Sequence, residues 1–182
     1  MADLTGTAIA DSFDQLLALP SGGGATTTLK ALTDGNADTT FAMQLSTTTI
    51  CIDNPTASSS TQGGILRLQS DDGAVMASGH RLGVIEFGGA EDTSNTITTG
   101  ARIEAVTDAT WSGSENGANL RFFTTDGDAT QVEELRINAT GQVIVSPDAV
   151  AGSAAAPQLA FGDGDTGFWE ASDDDLRIAI GG

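Results

Sequence analysis

The sequence predicts an all-β protein of short strands, with one short helix near its N-terminus. Three observations carry that reading. All six arginines sit inside short strand-like words: Leu66-Arg67-Leu68, His80-Arg81-Leu82, Ala101-Arg102-Ile103, Leu120-Arg121-Phe122, Leu135-Arg136-Ile137 and Leu176-Arg177-Ile178. Neighbouring side chains of an extended chain point to opposite faces, so each word sets apolar groups on one side and a guanidinium on the other. Turn residues recur between these words roughly every ten to twenty positions, the rhythm of an all-β chain. Threonine, which is β-branched and fits a pleated surface, is abundant, while lysine, glutamate and leucine, the fillers of helical proteins, are sparse.

The chain of 182 residues has the length of one domain or two small ones. Aromatic residues make up 5% and tyrosine is absent, so large side chains are too few to fill a compact core in one chain. A core shared between chains, or along a loose repeating stack, is the physical way out. Against 25 acids stand six arginines and Lys30, for a net charge of −18. Nothing resembles the basic stripe that grips phosphate, so nucleic acid is excluded as a partner, and adsorption to an anionic membrane with it. No apolar run approaches the ~20 residues of a membrane-spanning helix, so no membrane insertion is expected. Met1-Ala2-Asp3 lacks the basic start and apolar run of a secretory leader, so the expectation is synthesis in a cytoplasm and exit by another route.

Taken in order, residues 1–24 stand apart. Ser12-Phe13-Asp14-Gln15 fits a capping box, and Phe13, Leu16 and Leu17 fall on one helical face before Leu19-Pro20 ends the helix. About two turns of helix are marginal alone in water, so this face must dock on something. Ser21-Gly22-Gly23-Gly24 reads as a flexible joint. Two readings fit: an attachment peg, with Leu4, Ile9, Phe13, Leu16 and Leu17 as its docking residues, or a helix folded back on its own domain. Residues 25–62 form a Thr-rich β segment with strands at Phe41–Leu45 and Thr48–Ile52, a turn at Asp34-Gly35, and a loop over 56–62. Residues 63–146 hold the densest pattern, with strands expected at Ile65–Gln69, Leu82–Phe87, Ala101–Val106, Leu120–Thr124, Val132–Ile137 and Gln142–Val145. Their spacing is irregular, so the module is a loose repeat. An alanine-rich linker over 147–157 leads to a C-terminal β element, 158–182, with strand words at Leu159–Phe161, Gly167–Glu170 and Leu176–Ile180. Gly181-Gly182 leaves that last strand without a polar cap, so either other subunits cover it or the native chain continues.

Catalytic chemistry finds little footing. His80 is the one histidine and Cys51 the one cysteine, so a nucleophilic dyad would need both, and a zinc site would need about four such ligands. Cys51, within Thr49-Ile50-Cys51-Ile52, reads as a small buried hydrophobe. Asp163-Gly164-Asp165-Thr166-Gly167 lacks the remaining acids of a calcium loop and reads as a polar turn. Carboxylate pairs carry no specificity among so many acids. No enzymatic activity, catalytic residue, cofactor or metal is therefore expected. Trp111 and Trp169 lie near turns, where an exposed indole stacks on sugars and a buried one packs a core. Arg102 and Glu104 share a strand face, and with Arg121 and Arg136 they are the candidates for ion pairs on the outward face or across a subunit contact.

Five elements occur in order: Gly83-Val84-Ile85-Glu86-Phe87-Gly88, Gly100-Ala101-Arg102-Ile103-Glu104-Ala105, Asn119-Leu120-Arg121-Phe122-Phe123-Thr124-Thr125, Glu133-Glu134-Leu135-Arg136-Ile137-Asn138 and Gly141-Gln142-Val143. Their succession resembles a module of tail fibres and related fibrous virion proteins of tailed bacteriophages. The ending, Leu159-Ala160-Phe161-Gly162-Asp163 through Thr166-Gly167-Phe168-Trp169 to Asp175–Ile180, is similar to another fibre element. Leu4-Thr5-Gly6-Thr7 with Leu16-Leu17 resembles the leader that joins such fibres to the virion. The resemblance implies an elongated homotrimer of short strands wrapped round a shared axis, localised in the virion, with residues 1–24 contacting capsid, tail or baseplate proteins. It further implies viral attachment, with a host-surface glycan as a further partner. Two alternatives stand beside a tail fibre. One is a carbohydrate-binding or depolymerising appendage using Trp111 or Trp169 for glycan stacking. The other is a capsid decoration or head-fibre protein.

Overall fold

A computed structural model describes residues 26–33, 39–145, 153, 155, 157–162, 166–172 and 175–180. These residues are all β: eleven strands in three antiparallel sheets, with no helix among them. The predicted helix of residues 12–19, the glycine joint, the Asp34-Gly35 turn and most of the 147–157 linker lie outside the described residues. The chain divides into two compact units, Met1–Arg67 and Leu68–Gly182.

In the first unit, β1 (Lys30–Thr33), β2 (Thr40–Leu45) and β3 (Ile50–Ile52) form a three-stranded sheet in sequence order. Met43 faces Ile52 and Leu45 faces Ile50, so the alternating apolar positions of the two strands meet on one side, as the sequence pattern requires. Ser46 closes this hairpin, its Oγ accepting the backbone N–H groups of Thr48 (3.2 Å) and Thr49 (3.0 Å). β1 has no clear alternation and the sequence reading missed it.

In the second unit, β4 (Arg81–Ala90), β5 (Ile97–Thr107), β6 (Ala118–Thr125), β7 (Gln131–Ile137) and β8 (Val143–Val145) form a five-stranded meander in sequence order. β9 (Leu159–Phe161), β10 (Thr166–Ser172) and β11 (Asp175–Ala179) form a smaller sheet with β10 in the middle. The five-stranded sheet follows from its turns. Asn138 Oδ1 accepts the amides of Thr140 (3.1 Å) and Gln142 (2.9 Å), and Gly141 supplies the left-handed residue at φ 84°, which folds β7 onto β8. Asp126 Oδ1 holds the β6–β7 turn through the amide of Asp128 at 3.1 Å.

One expected strand is absent. Ile65–Gln69 is extended chain outside any sheet, so Arg67 alone of the six arginines lies outside a strand, bridge or strand end. Alternation decides which way side chains point, but a strand also needs a neighbour to receive its backbone hydrogen bonds, and within the described residues this segment has none. The stretch after it is tied down locally: Thr107 Oγ1 donates to the Ala77 carbonyl (2.6 Å) and accepts the His80 amide (3.0 Å), while Trp111 N–H reaches Met76 O at 2.9 Å.

Burial is sparse. Among the described residues the buried apolar side chains are Leu32, Val106, Pro157 and Ala179, while nineteen large hydrophobic side chains are exposed. The buried charged side chains are Glu104 and Glu133.

Candidate functional site

The register of the five-stranded sheet sorts its side chains into two faces. Glu104 pairs with Val84 on β4 and with Arg121 on β6, Arg102 pairs with Glu86 and Phe123, and Arg121 pairs with Arg136. Arg102, Glu104, Arg121 and Arg136 therefore share one face. Ile85–Ile103–Phe122–Leu135 run across the other face in direct register, flanked by Phe87, Leu120, Ile137 and Val143.

The charged face is a network of ion pairs within one chain, in which the buried Nε of Arg121 has no hydrogen-bond partner. Glu104 Oε2 takes Arg81 Nη2 at 2.9 Å and Arg102 Nε at 3.2 Å. Glu133 takes Arg136 through two contacts, at 2.5 and 2.9 Å, and lies 3.7 Å from Arg121 Nε. Arg102 also stacks its guanidinium 3.7 Å from the centroid of the Phe123 ring. Each acid is thus clamped between two arginines, with Glu104 5% and Glu133 2% exposed. Burying a carboxylate is costly unless it is paired, and both are paired twice. Two members of this network, Arg81 and Glu133, were not among the sequence candidates. Simple alternation from Arg136 places Glu134 on the charged face. The register shift between Phe122 and Phe123 sets Glu133 there instead, opposite Phe123.

The apolar face is the exposed one. Phe87 is 54% and Val143 62% exposed, and Ile85, Leu120 and Ile137 are open as well. Beside Gly83 the face carries a hollow of about 150 Å³ walled by Leu68, Leu82, Ile85, Ile103 and Leu120. A side chain at Gly83 would come within 2.7 Å of Leu68 Cβ, so the glycine lets that residue approach the sheet. The C-terminal sheet repeats the division. Trp169 and Arg177 face each other with Asp175 beside them, the Arg177–Asp175 bridge measuring 2.6 Å, while Phe168 and Ile178 pair on the other side and are exposed. Arg177 holds the Asp175 carboxyl below the usual carboxylate range, chiefly through their hydrogen bond.

The two tryptophans differ. Trp111 Nε1 donates to the Gly117 carbonyl at 3.0 Å and fastens the β5–β6 loop. Trp169 lies under Arg177, whose guanidinium carbon is 5.3 Å from the ring centroid, and its buried Nε1 has no protein partner. It borders a hollow of about 360 Å³ that also presents Gln158, Glu170 and Asp175. Leu4, Ile9, Phe13, Leu16 and Leu17 lie outside the described residues. Cys51 is a half-buried free thiol on β3 in the first unit, and His80 belongs to the second. Among the described residues, no group of three or more His, Cys, Asp or Glu is placed to hold a metal, and no helix is long and apolar enough to cross a membrane.

No family model matches the chain, and no curated protein matches it.

Proposed function

We propose that this chain is a non-enzymatic structural protein of a tailed-bacteriophage virion: a homotrimeric fibre, or the virion-proximal part of a tail fibre, anchored through residues 1–24 and projecting toward the host surface. The observation that carries the reading is the coincidence of motif and fold. The first four of the ordered elements that resemble the fibre module fall one by one on β4, β5, β6 and β7, and the fifth on the turn into β8, so they follow five successive strands of one sheet. Such a meander, with its charges neutralised on one side and its apolar side chains open on the other, suits an element whose core is completed by sister copies. The work of the protein is then mechanical display.

Immunogold labelling of purified particles tests this reading and separates a tail position from the head position of a decoration protein. Label on virions is expected, and its absence overturns the reading. Deleting residues 1–24 is expected to leave a soluble trimer that no longer joins particles; incorporation of the truncated protein removes the anchor from the proposal.

The hollow beside Trp169 favours a second reading, recognition of a host-surface glycan. An indole edge, an amide and two carboxylates around a partly apolar hollow are groups that bind sugar hydroxyls and ring faces. Trp169→Ala should abolish binding to host polysaccharide while Trp111→Ala, whose indole is committed to its own loop, leaves it intact. Release of reducing ends would add depolymerisation; equal binding by both variants contradicts the reading.

A further inference from the structure

We infer that copies of this chain meet through the apolar side of the five-stranded sheet, joined by the apolar side of the β9–β11 sheet, and that the arginine–glutamate network faces away from the contact. The inference rests on the homotrimer proposed above and names its surface. Three observations select a second copy as the occupant.

The first is charge. Each copy carries −18, so most approaches bring acid against acid. Arg81, Arg102, Arg121, Arg136 and Arg177 are already paired with acids of their own chain. On the apolar side of the five-stranded sheet the one charged residue is Glu134, at the β7 register shift and hydrogen-bonded to Thr124, while Ile85, Ile103, Phe122 and Leu135 cross the sheet uncharged and offer a surface two such copies can share. A cationic partner would instead seek the acids elsewhere.

The second is area. From their fractional exposures, Ile85, Phe87, Leu120, Ile137 and Val143 on one sheet and Leu159, Phe161, Phe168, Leu176 and Ile178 on the other each leave on the order of 500 Å² of surface to water, at the upper end of a monomer's largest patch, and the two together match the ~800 Å² per partner of a stable interface. The third is relief. Gly83, Ala101 and Ala105 alternate with Ile85, Ile103 and Phe122 on this side, and the hollow at Leu68 and Leu120 is of the size a side chain fills. Sheets packed face to face interdigitate in this way at about 10 Å separation.

The test combines sedimentation of the full chain with carbene footprinting. In the assembled species, labelling of Ile85, Leu120 and Val143 should fall several-fold relative to a sample diluted to single chains. Phe87→Asp should weaken association about tenfold or more, because a carboxylate is forced into an apolar contact, while Asn119→Asp, which adds the same charge to the opposite side, should not. If circular dichroism shows that Phe87→Asp does not fold, the wild-type footprint decides alone. Trimers whose apolar side remains fully labelled overturn the inference and leave the fibre reading intact. A single-chain mass with this side protected also overturns it and assigns the cover to residues 1–25 of the same chain. Particle labelling judges the virion reading independently of either result.

Discussion

Glu133 has two guanidiniums converging on it and almost no water, so its removal leaves Arg121 and Arg136 without their counter-charge. Glu133→Ala should therefore cost about 2–4 kcal/mol of stability in urea unfolding. Its neighbour Glu134 accepts one exposed hydrogen bond from Thr124 Oγ1, and Glu134→Ala should cost under ~1 kcal/mol. Equal losses would contradict the register that separates them. Asp92 gives a pH test. Its carboxylate accepts the amide of Ser94 at 2.8 Å and the amide and hydroxyl of Thr96 at 3.1 and 2.9 Å. The bonds to Thr96 are the main cause that lowers its pKa. A carboxyl lowered in the folded state stabilises it above the ordinary aspartate value of about 3.9, and that contribution is lost as the pH falls through the lowered value. The Ser94 and Thr96 amide resonances should shift together with a midpoint below about 3.9; a midpoint at or above it would show the loop bonds to be absent in solution.

The hairpins show how much of each element was legible. Asx-type turns and glycines marked the ends of β7, and alternation marked β2 to β11 to within a few residues, because both are local properties of the chain. The β6–β7 turn contains Asp126-Gly127, but its left-handed residue is Ala129 at φ 67°, two positions beyond the glycine. An alanine there is strained, so Ala129→Gly should raise stability by about 0.5–1 kcal/mol, whereas Gly141→Ala should lower it by about 1 kcal/mol, both by thermal unfolding. The reverse signs would contradict the turn geometry. What the sequence could not disclose was non-local. Ile65–Gln69 has the strand pattern without a strand partner. The choice of Glu133 over Glu134 depends on a register shift that no composition signals. Alternation separated the two faces of the main sheet, but it did not say that water would meet the apolar one. Arginines whose long stems lie along the sheet, with Arg102 over Phe123, keep the charged side drier than its composition suggests.

For the whole molecule, the sparse burial is the central fact. Nineteen exposed large hydrophobic side chains against four buried apolar ones, among the described residues, leave each unit short of the core that stabilises an independent domain. The proposed sister copies would remedy this, and because each brings a charge of −18, their association works against repulsion. Raising the salt from about 20 to 500 mM shortens the reach of that repulsion to a few ångströms and should tighten association; weakening would point to a contact built on ion pairs. The most direct measurement is the mass of the full chain in dilute, moderate-salt solution by sedimentation equilibrium. The expected result is three times the 18.4 kDa of a single chain. A lasting 18.4 kDa species with its β-sheet signal intact would contradict a core shared between copies.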